Sequence, residues 1–160
     1  MGSKYAGSEI LQMAIEIEQK GKLFYENMAD SINDLKVKKL FRFLAEEEVQ
    51  HEIVFKKMLS SIETFTESSV FDQHELHLYF RSFVGDNVIP SKNQEKELLN
   101  DLGNINSALD KAFNLEKAAI LYFHELKNLT NEKDSIIIDD IIREERIHIK
   151  KIFEIMEEYK

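Results

Sequence analysis

The chain has 160 residues, a length typical of one domain, and 43% of them are hydrophobic and 32% charged, so it can bury a substantial core. Five glycines and one proline are too few for the many turns of an all-β fold, so the composition favours helices. The absence of cysteine excludes disulfides, thiolate zinc sites, iron–sulfur clusters and thiol nucleophiles. Any metal bound here must therefore use nitrogen and oxygen ligands.

The acidic charge balance argues against a nucleic-acid partner. Thirty acidic and 21 basic residues give a formal net charge of −9, which phosphate backbones repel, and no segregated basic patch is visible in the sequence. No apolar run approaches the roughly 20 residues that span a bilayer, and the N-terminal residues lack the apolar stretch of a secretory signal. We therefore expect a cytoplasmic protein with neither nucleic acid nor membrane as a partner.

Apolar residues that recur with a period of about 3.5 predict four long helices. Asp34 is a candidate N-cap for the second helix, and the polar residues 128–131 indicate a turn between the third and fourth. The short connections within each pair predict two antiparallel hairpins. The apolar stripes cover, in chain order, roughly residues 8–31, 34–59, 105–126 and 138–159.

A long segment, roughly residues 60–104, separates the two hairpins and is too long for a loop without structure or function inside a compact domain. Asp72 and Glu75 form a capping-box pattern that predicts a short amphipathic helix at 71–84. A helix this short is stable only when its apolar face docks, so we expect it to pack against the bundle of its own chain or of a symmetry mate. Its aromatic surface favours a homodimer over a monomer.

The two hairpins repeat each other. Glu116 follows Glu18 by 98 residues, and Glu145 follows Glu48 by 97, as His148 follows His51. An ancestral duplication of a helix hairpin is the simplest explanation of this spacing. The sequence therefore predicts one all-α domain over residues 1–160, a four-helix bundle of up-down hairpins with a long crossover.

Six polar side chains interrupt the apolar stripes at core-facing positions: Glu18, Glu48, His51, Glu116, Glu145 and His148. Each glutamate lies roughly 20 Å from the turn of its hairpin, so the six share one layer of the bundle. Four buried carboxylates cannot all stay ionised without compensation. Two divalent metal ions would balance their charge, while neutral histidines would complete the coordination.

The histidines of this layer belong to two copies of a Glu-x-x-His motif, EEVQH at 47–51 and EERIH at 144–148. The i, i+3 spacing puts both donors on one helix face, where they can bind the same metal. One glutamate from each of two helices and Glu-x-x-His from the other two form the ligand pattern of ferritin-like di-metal proteins. Gly21 and Ala119 are small residues at the same level and would leave room for the imidazole rings.

The sequence resembles the rubrerythrin-like branch of the ferritin-like di-iron superfamily over all four helices. The resemblance rests on the two Glu-x-x-His motifs, on EQKGKLFY at 18–25 and on LEKAAILYF at 115–123. It implies two iron ions, with manganese as the other metal suited to an oxygen-rich site. It also implies Glu48 and Glu145 as bridging or chelating ligands, Glu18 and Glu116 as terminal ligands, His51 and His148 as one nitrogen ligand per metal, and Tyr25 beside the site.

Three differences separate this chain from rubrerythrins proper. Those proteins carry a further carboxylate one turn along the third helix, where this chain has Ala119. They also carry a four-cysteine rubredoxin module, and without cysteine this chain needs a separate electron donor. Phe123 stands at the place that corresponds to Tyr25, so only one of the two tyrosine hydroxyls is expected beside the metals.

The resemblance implies a non-haem di-iron oxidoreductase that oxidises ferrous iron with dioxygen or hydrogen peroxide, as a ferroxidase or peroxide scavenger. Two alternatives stay open: an iron-binding or storage protein, and a metal-bound structural bundle without turnover. Among the other polar residues, Glu47 and Glu144 either orient the histidines or face water. His74 and His77 are expected to be solvated, and His124 to pack beside the core.

Overall fold

The computed structural model describes residues 2–61, 78–82 and 105–160, and it confirms the predicted all-α bundle. Each of the two hairpins consists of two long helices joined by a short turn. None of the described helices has an apolar stretch long enough to cross a membrane. The helices are α1 (Gly2–Ser31), α2 (Leu35–Leu59), α3 (Ile105–Lys127) and α4 (Glu132–Glu158).

Two of the helices begin with side-chain caps. The Asp34 carboxylate accepts the backbone N–H groups of Lys36 and Val37 at 3.0 and 3.1 Å, which confirms the predicted cap of α2. Asn131 caps α4 by accepting the N–H of Asp134 at 2.8 Å. The helix α4 begins at Glu132, six residues before the predicted apolar stripe, which starts at Ile138. The first turn of α4 is polar and so does not continue the stripe. Similarly, α1 begins at Gly2 rather than near residue 8.

Each helix runs antiparallel to its neighbours in the bundle. The Tyr122 hydroxyl near the end of α3 donates to the Ile10 carbonyl near the start of α1. The Tyr159 hydroxyl after α4 likewise donates to Asp34 at the start of α2. The two hairpin turns therefore lie at opposite ends, and α2 and α3 run in the same direction. A chain that leaves α2 must travel the length of the bundle, about 35 Å, to begin α3.

Aromatic side chains pack on both sides of the polar layer. Toward the α1–α2 turn, the ring of Tyr25 stacks on Phe41 with centroids 5.8 Å apart. On the other side, Phe55 of α2 meets Phe123 of α3 with centroids 5.0 Å apart. All four rings are buried, so apolar side chains lie on both sides of the polar layer along the bundle axis.

The described part of the crossover docks onto the bundle of its own chain. Residues 78–81 are helical, and the buried Phe80 ring meets Tyr122 of α3 edge-on, with centroids 5.0 Å apart. This contact is of the kind predicted for the segment 71–84. Residues 71–77 and 83–84 of that predicted helix lie outside the described residues, as do His74 and His77.

Candidate metal centre

The structure brings all six predicted site residues together at the middle of the bundle. Their exposed fractions range from 0 to 5%, although every one of them is ionisable. Each helix contributes to the layer. The contributions are Glu18 from α1, Glu48 and His51 from α2, Glu116 from α3, and Glu145 and His148 from α4.

The six side chains form two overlapping groups of donor atoms. In each group, one donor atom per residue can be chosen so that all lie within 4.8 Å of one another. Glu48 and Glu145 belong to both groups, which is the arrangement that two adjacent metal ions sharing bridging carboxylates would require. The groups are Glu18, Glu48, His51 and Glu145, and Glu48, Glu116, Glu145 and His148.

The Nδ1 atoms of both histidines face the carboxylates. His51 Nδ1 lies 3.0 Å from Glu145 and 3.6 Å from Glu18. His148 Nδ1 lies 2.7 Å from the other oxygen of Glu145 and 3.6 Å from Glu116. The two rings are nearly parallel, with centroids 5.8 Å apart. Glu145 thus contacts both imidazoles, one through each oxygen, in keeping with its membership of both donor groups.

The Nε2 atoms point the other way, toward the surface between α2 and α4. His51 of α2 pairs through Nε2 with Glu144 of α4 at 2.8 Å, and His148 Nε2 of α4 lies 3.7 Å from Glu47 of α2. Each of these carboxylates therefore lies nearest to the histidine of the opposite helix, but only Glu144 is within hydrogen-bond distance of it. This crossing was missed from the sequence, although the 97-residue offset between Glu47 and Glu144 matches that of the histidines and could have suggested it.

Protons neutralise much of the layer in the absence of metal. Burial raises the pKa of Glu18 and Glu48 well above the usual range, and that of Glu116 to about 8. Burial also acts to raise the pKa of Glu145, but the imidazoles of His148 and His51, which lie close to its oxygens, outweigh burial and bring the pKa below the usual range. Burial opposes charge on both histidines, yet these carboxylate contacts raise each imidazole pKa to about 10.

The donor set fits a pair of divalent cations. Several of its atoms are buried and lack a hydrogen-bond partner: Glu18 Oε1 and Oε2, Glu116 Oε2, Glu145 Oε1, His51 Nδ1 and His148 Nε2. Unpartnered buried carboxylate oxygens are costly, and a bound cation would satisfy them. The four carboxylates and two imidazoles together offer the oxygen and nitrogen donors that iron and manganese accept.

Tyr25 contacts the site from the side of the α1–α2 turn. Its hydroxyl donates to Glu116 Oε1 at 2.5 Å, so this α1 residue orients the glutamate of α3 rather than the glutamate of its own helix. Burial and the nearby Glu116 charge raise the Tyr25 pKa well above its usual value, so the phenol stays protonated and donates. Phe123, at the corresponding place on α3, packs against Phe55 and offers no hydroxyl.

Gly21 makes room for a carboxylate and not for an imidazole ring, which was the group expected there from the sequence. A Cβ atom added at Gly21 would lie 3.4 Å from Glu48 Cδ, so the Glu48 side chain occupies the space above this glycine. Ala119 is buried on α3, one turn beyond Glu116. His124 lies half-buried on α3 and belongs to none of the donor groups in the described part of the chain.

A comparison with known protein families supports the predicted resemblance. The family model described as Rubrerythrin matches residues 9–85, which include most of α1, all of α2 and the Phe80 segment. The rubrerythrin-like resemblance is therefore confirmed over these residues. No curated protein and no solved structure gave a significant match. The site residues on α3 and α4 lie outside the matched range and repeat those on α1 and α2 at a spacing of 97–98 residues.

Proposed function

We propose, from the rubrerythrin match over residues 9–85 and from the two overlapping donor groups, that this chain is a di-iron oxidoreductase. It would oxidise ferrous iron with dioxygen or hydrogen peroxide, as a ferroxidase or a peroxide scavenger. The observation that carries the proposal is that Glu48 and Glu145 belong to both donor groups. Such shared ligands would hold two cations next to each other, and a pair of cations would suit an oxidant that takes up two electrons.

In this proposal each side chain has a separate role. Glu48 and Glu145 would bridge or chelate the two metals, Glu18 and Glu116 would each bind one, and His51 and His148 would bind through Nδ1. Two ferrous ions held by these ligands would supply two electrons, which together with two protons convert one hydrogen peroxide to two water molecules. Tyr25 holds one oxygen of Glu116 in place through its hydroxyl.

The surroundings of the site favour iron in this role. Carboxylate-rich ligation stabilises the harder ferric ion, and imidazole also suits iron. The buried rings of Phe41 and Phe55 lie on opposite sides of the layer and limit access of water along the bundle axis. Manganese accepts the same donors, so metal availability also decides which ion is bound.

The electron donor, the cellular location and the oligomeric state are also part of the proposed function. The chain has no cysteine with which to carry a rubredoxin-type centre, so we propose that a separate donor returns the electrons. We also propose a cytoplasmic location and a homodimer, with neither nucleic acid nor membrane as a partner. Sedimentation at micromolar concentration tests the homodimer, and a monomer would contradict it.

An anaerobic titration with ferrous iron tests the function. We expect two ferrous ions per chain, followed on addition of dioxygen or hydrogen peroxide by oxidation faster than that of free ferrous iron. Repeated turnover with a chemical reductant would support an oxidoreductase. Accumulation of far more than two ferric ions per chain would indicate storage instead, and binding without oxidation would indicate a structural metal.

A pair of variants on α2 provides the control. Glu48→Ala removes a shared carboxylate and should abolish the binding of two metals per chain. Glu46→Ala removes an equal charge from an exposed position two residues away and should leave binding and oxidation unchanged. Equal behaviour of the two variants would contradict the proposed site.

A further inference from the structure

The two halves of the metal centre repeat each other in sequence but differ in how their terminal glutamates are held. Both carboxylate oxygens of Glu18 are buried without a hydrogen-bond partner. In Glu116 only Oε2 is free in this sense, because Oε1 accepts the hydroxyl of Tyr25 at 2.5 Å. Both oxygens of Glu18 are therefore available to a cation, whereas one oxygen of Glu116 is shared with the Tyr25 hydroxyl.

The histidines differ in the same direction. His51 Nε2 pairs with Glu144 at 2.8 Å, within hydrogen-bond distance. His148 Nε2 lies 3.7 Å from Glu47, is buried and has no hydrogen-bond partner. A hydrogen bond from Nε2–H to a carboxylate fixes the ring and leaves the Nδ1 lone pair to the metal. His51 is held in this way, and His148 is not.

Both differences bear on metal affinity. A carboxylate with two free oxygens can chelate a cation, and removing a hydrogen-bond partner of a ligating histidine typically weakens metal binding by about 10–100-fold. The position formed by Glu18 and His51 has both advantages, and the position formed by Glu116 and His148 has neither. Glu48 and Glu145 are common to the two positions, so they do not offset the difference.

We propose that the two metal positions are unequal and that the Glu18–His51 position binds first and more tightly. In this assignment Glu144 is a positioning residue for His51, and Tyr25 limits Glu116 to a single free oxygen. The Glu116–His148 position is then the one that fills second and releases its ion more readily. The inference rests on the metal site of the proposed function, but it concerns the order of binding and not the reaction.

Anaerobic calorimetric titration of the metal-free protein with Co²⁺, a divalent probe that needs no oxidant, tests this order. We expect two binding steps whose dissociation constants differ by about 10-fold or more, as the loss of a histidine partner would suggest. Crystals grown with one equivalent of Co²⁺ should show anomalous scattering beside Glu18 and His51. Two equal steps, or scattering beside Glu116 alone, would overturn the inference.

The repeat supplies matched variants. Glu144→Ala and Glu47→Ala each remove one carboxylate from the same face, so their long-range electrostatic effects should be similar. We expect Glu144→Ala to weaken the first step about 10-fold and Glu47→Ala to leave it nearly unchanged. Glu144→Gln keeps an oxygen that accepts the Nε2–H and should restore most of the lost affinity. Equal losses in the two alanine variants would overturn the role of Glu144.

Tyr25→Phe tests the second difference. It frees Glu116 Oε1 and should tighten the second step without changing the first. An unchanged second step in a variant with wild-type circular dichroism would overturn the role of Tyr25. Complete absence of Co²⁺ binding in the wild-type protein would instead overturn the proposed function, and the order of binding with it.

Discussion

At the scale of single residues, neighbouring side chains decide how much space and how many oxygen atoms each ligand has for a metal. Gly21 gives its space to the Glu48 carboxylate, and Tyr25 occupies one oxygen of Glu116. Neither effect follows from residue type alone, since glycine and tyrosine are also ordinary members of helical cores. Substitutions at such positions should therefore change metal binding more than they change the fold.

Gly21 provides a graded test of this view. Gly21→Ala adds a Cβ at 3.4 Å from Glu48 Cδ, which is near ordinary contact, and alanine favours a helix by about 0.5–1 kcal/mol over glycine. We expect the melting temperature to rise by about 1–3 °C with metal binding retained. Gly21→Leu should displace Glu48 and lower the number of metals bound per chain. Full metal binding by the leucine variant would contradict the close approach.

The metal-free protein should lose stability as the pH rises. Glu116 has a folded-state pKa of about 8, and His51 and His148 have values of about 10, all above the usual values of 4.5 and 6.5. Groups with raised pKa values bind more protons in the folded state, so the free energy of unfolding falls with pH between about 4.5 and 10. Glu145, whose pKa is lowered, gives no slope in this range because it is ionised in both states.

Urea denaturation in the presence of a chelator, at pH 5.5 and at pH 8, measures this effect. We expect the lower pH to give the larger free energy of unfolding. Bound metal should stabilise the protein more at pH 8, because ligands must lose their protons to bind. A metal-free protein that gains stability between the two pH values would contradict the protonation described for the layer.

At the scale of helices, side-chain caps fix where the ligands lie along the bundle. Asn131 accepts the N–H of Asp134 at the start of α4, the helix that carries Glu145 and His148. Asn131→Ala should lower the free energy of unfolding by about 1 kcal/mol. The number of metals bound should not change, because the ligands lie about 20 Å further along the helix. Denaturation compared with Asn128→Ala, in the same turn, checks the effect, and equal losses would contradict the cap.

The positions of the helices and of the polar residues inside them could largely be predicted from the sequence, because buried helix faces produce a periodic pattern of apolar residues. It placed α2 and α3 to within one or two residues, and it marked Glu18 and Glu145 as polar interruptions of core stripes. It missed the first turn of α4, where the cap is polar. It also could not show that Glu144 contacts a histidine of another helix, since such a contact depends on how the helices are rotated against each other.

At the scale of the whole molecule, the buried layer at the middle of the bundle brings four carboxylates together, and metal binding should therefore stabilise the fold. A ligand present at 100 times its dissociation constant, and bound only to the folded state, adds about 2.7 kcal/mol. For a domain of this size, that corresponds to about 5–10 °C in melting temperature. Differential scanning calorimetry with and without a chelator measures the shift. The Glu48→Ala variant is the control and should show little shift, whereas an unchanged wild-type protein would contradict the metal site.

The placement of the two hairpin turns at opposite ends has a consequence for the origin of the protein. The repeat of the ligands at 97–98 residues and the opposite placement of the turns are what an approximate two-fold relation between the hairpins would give. Each donor group takes ligands from both hairpins, so one hairpin alone holds no complete group. Two identical hairpins paired by that relation would have formed a centre with two equivalent halves. In a single chain the two halves can differ, as Tyr25 and Phe123 do.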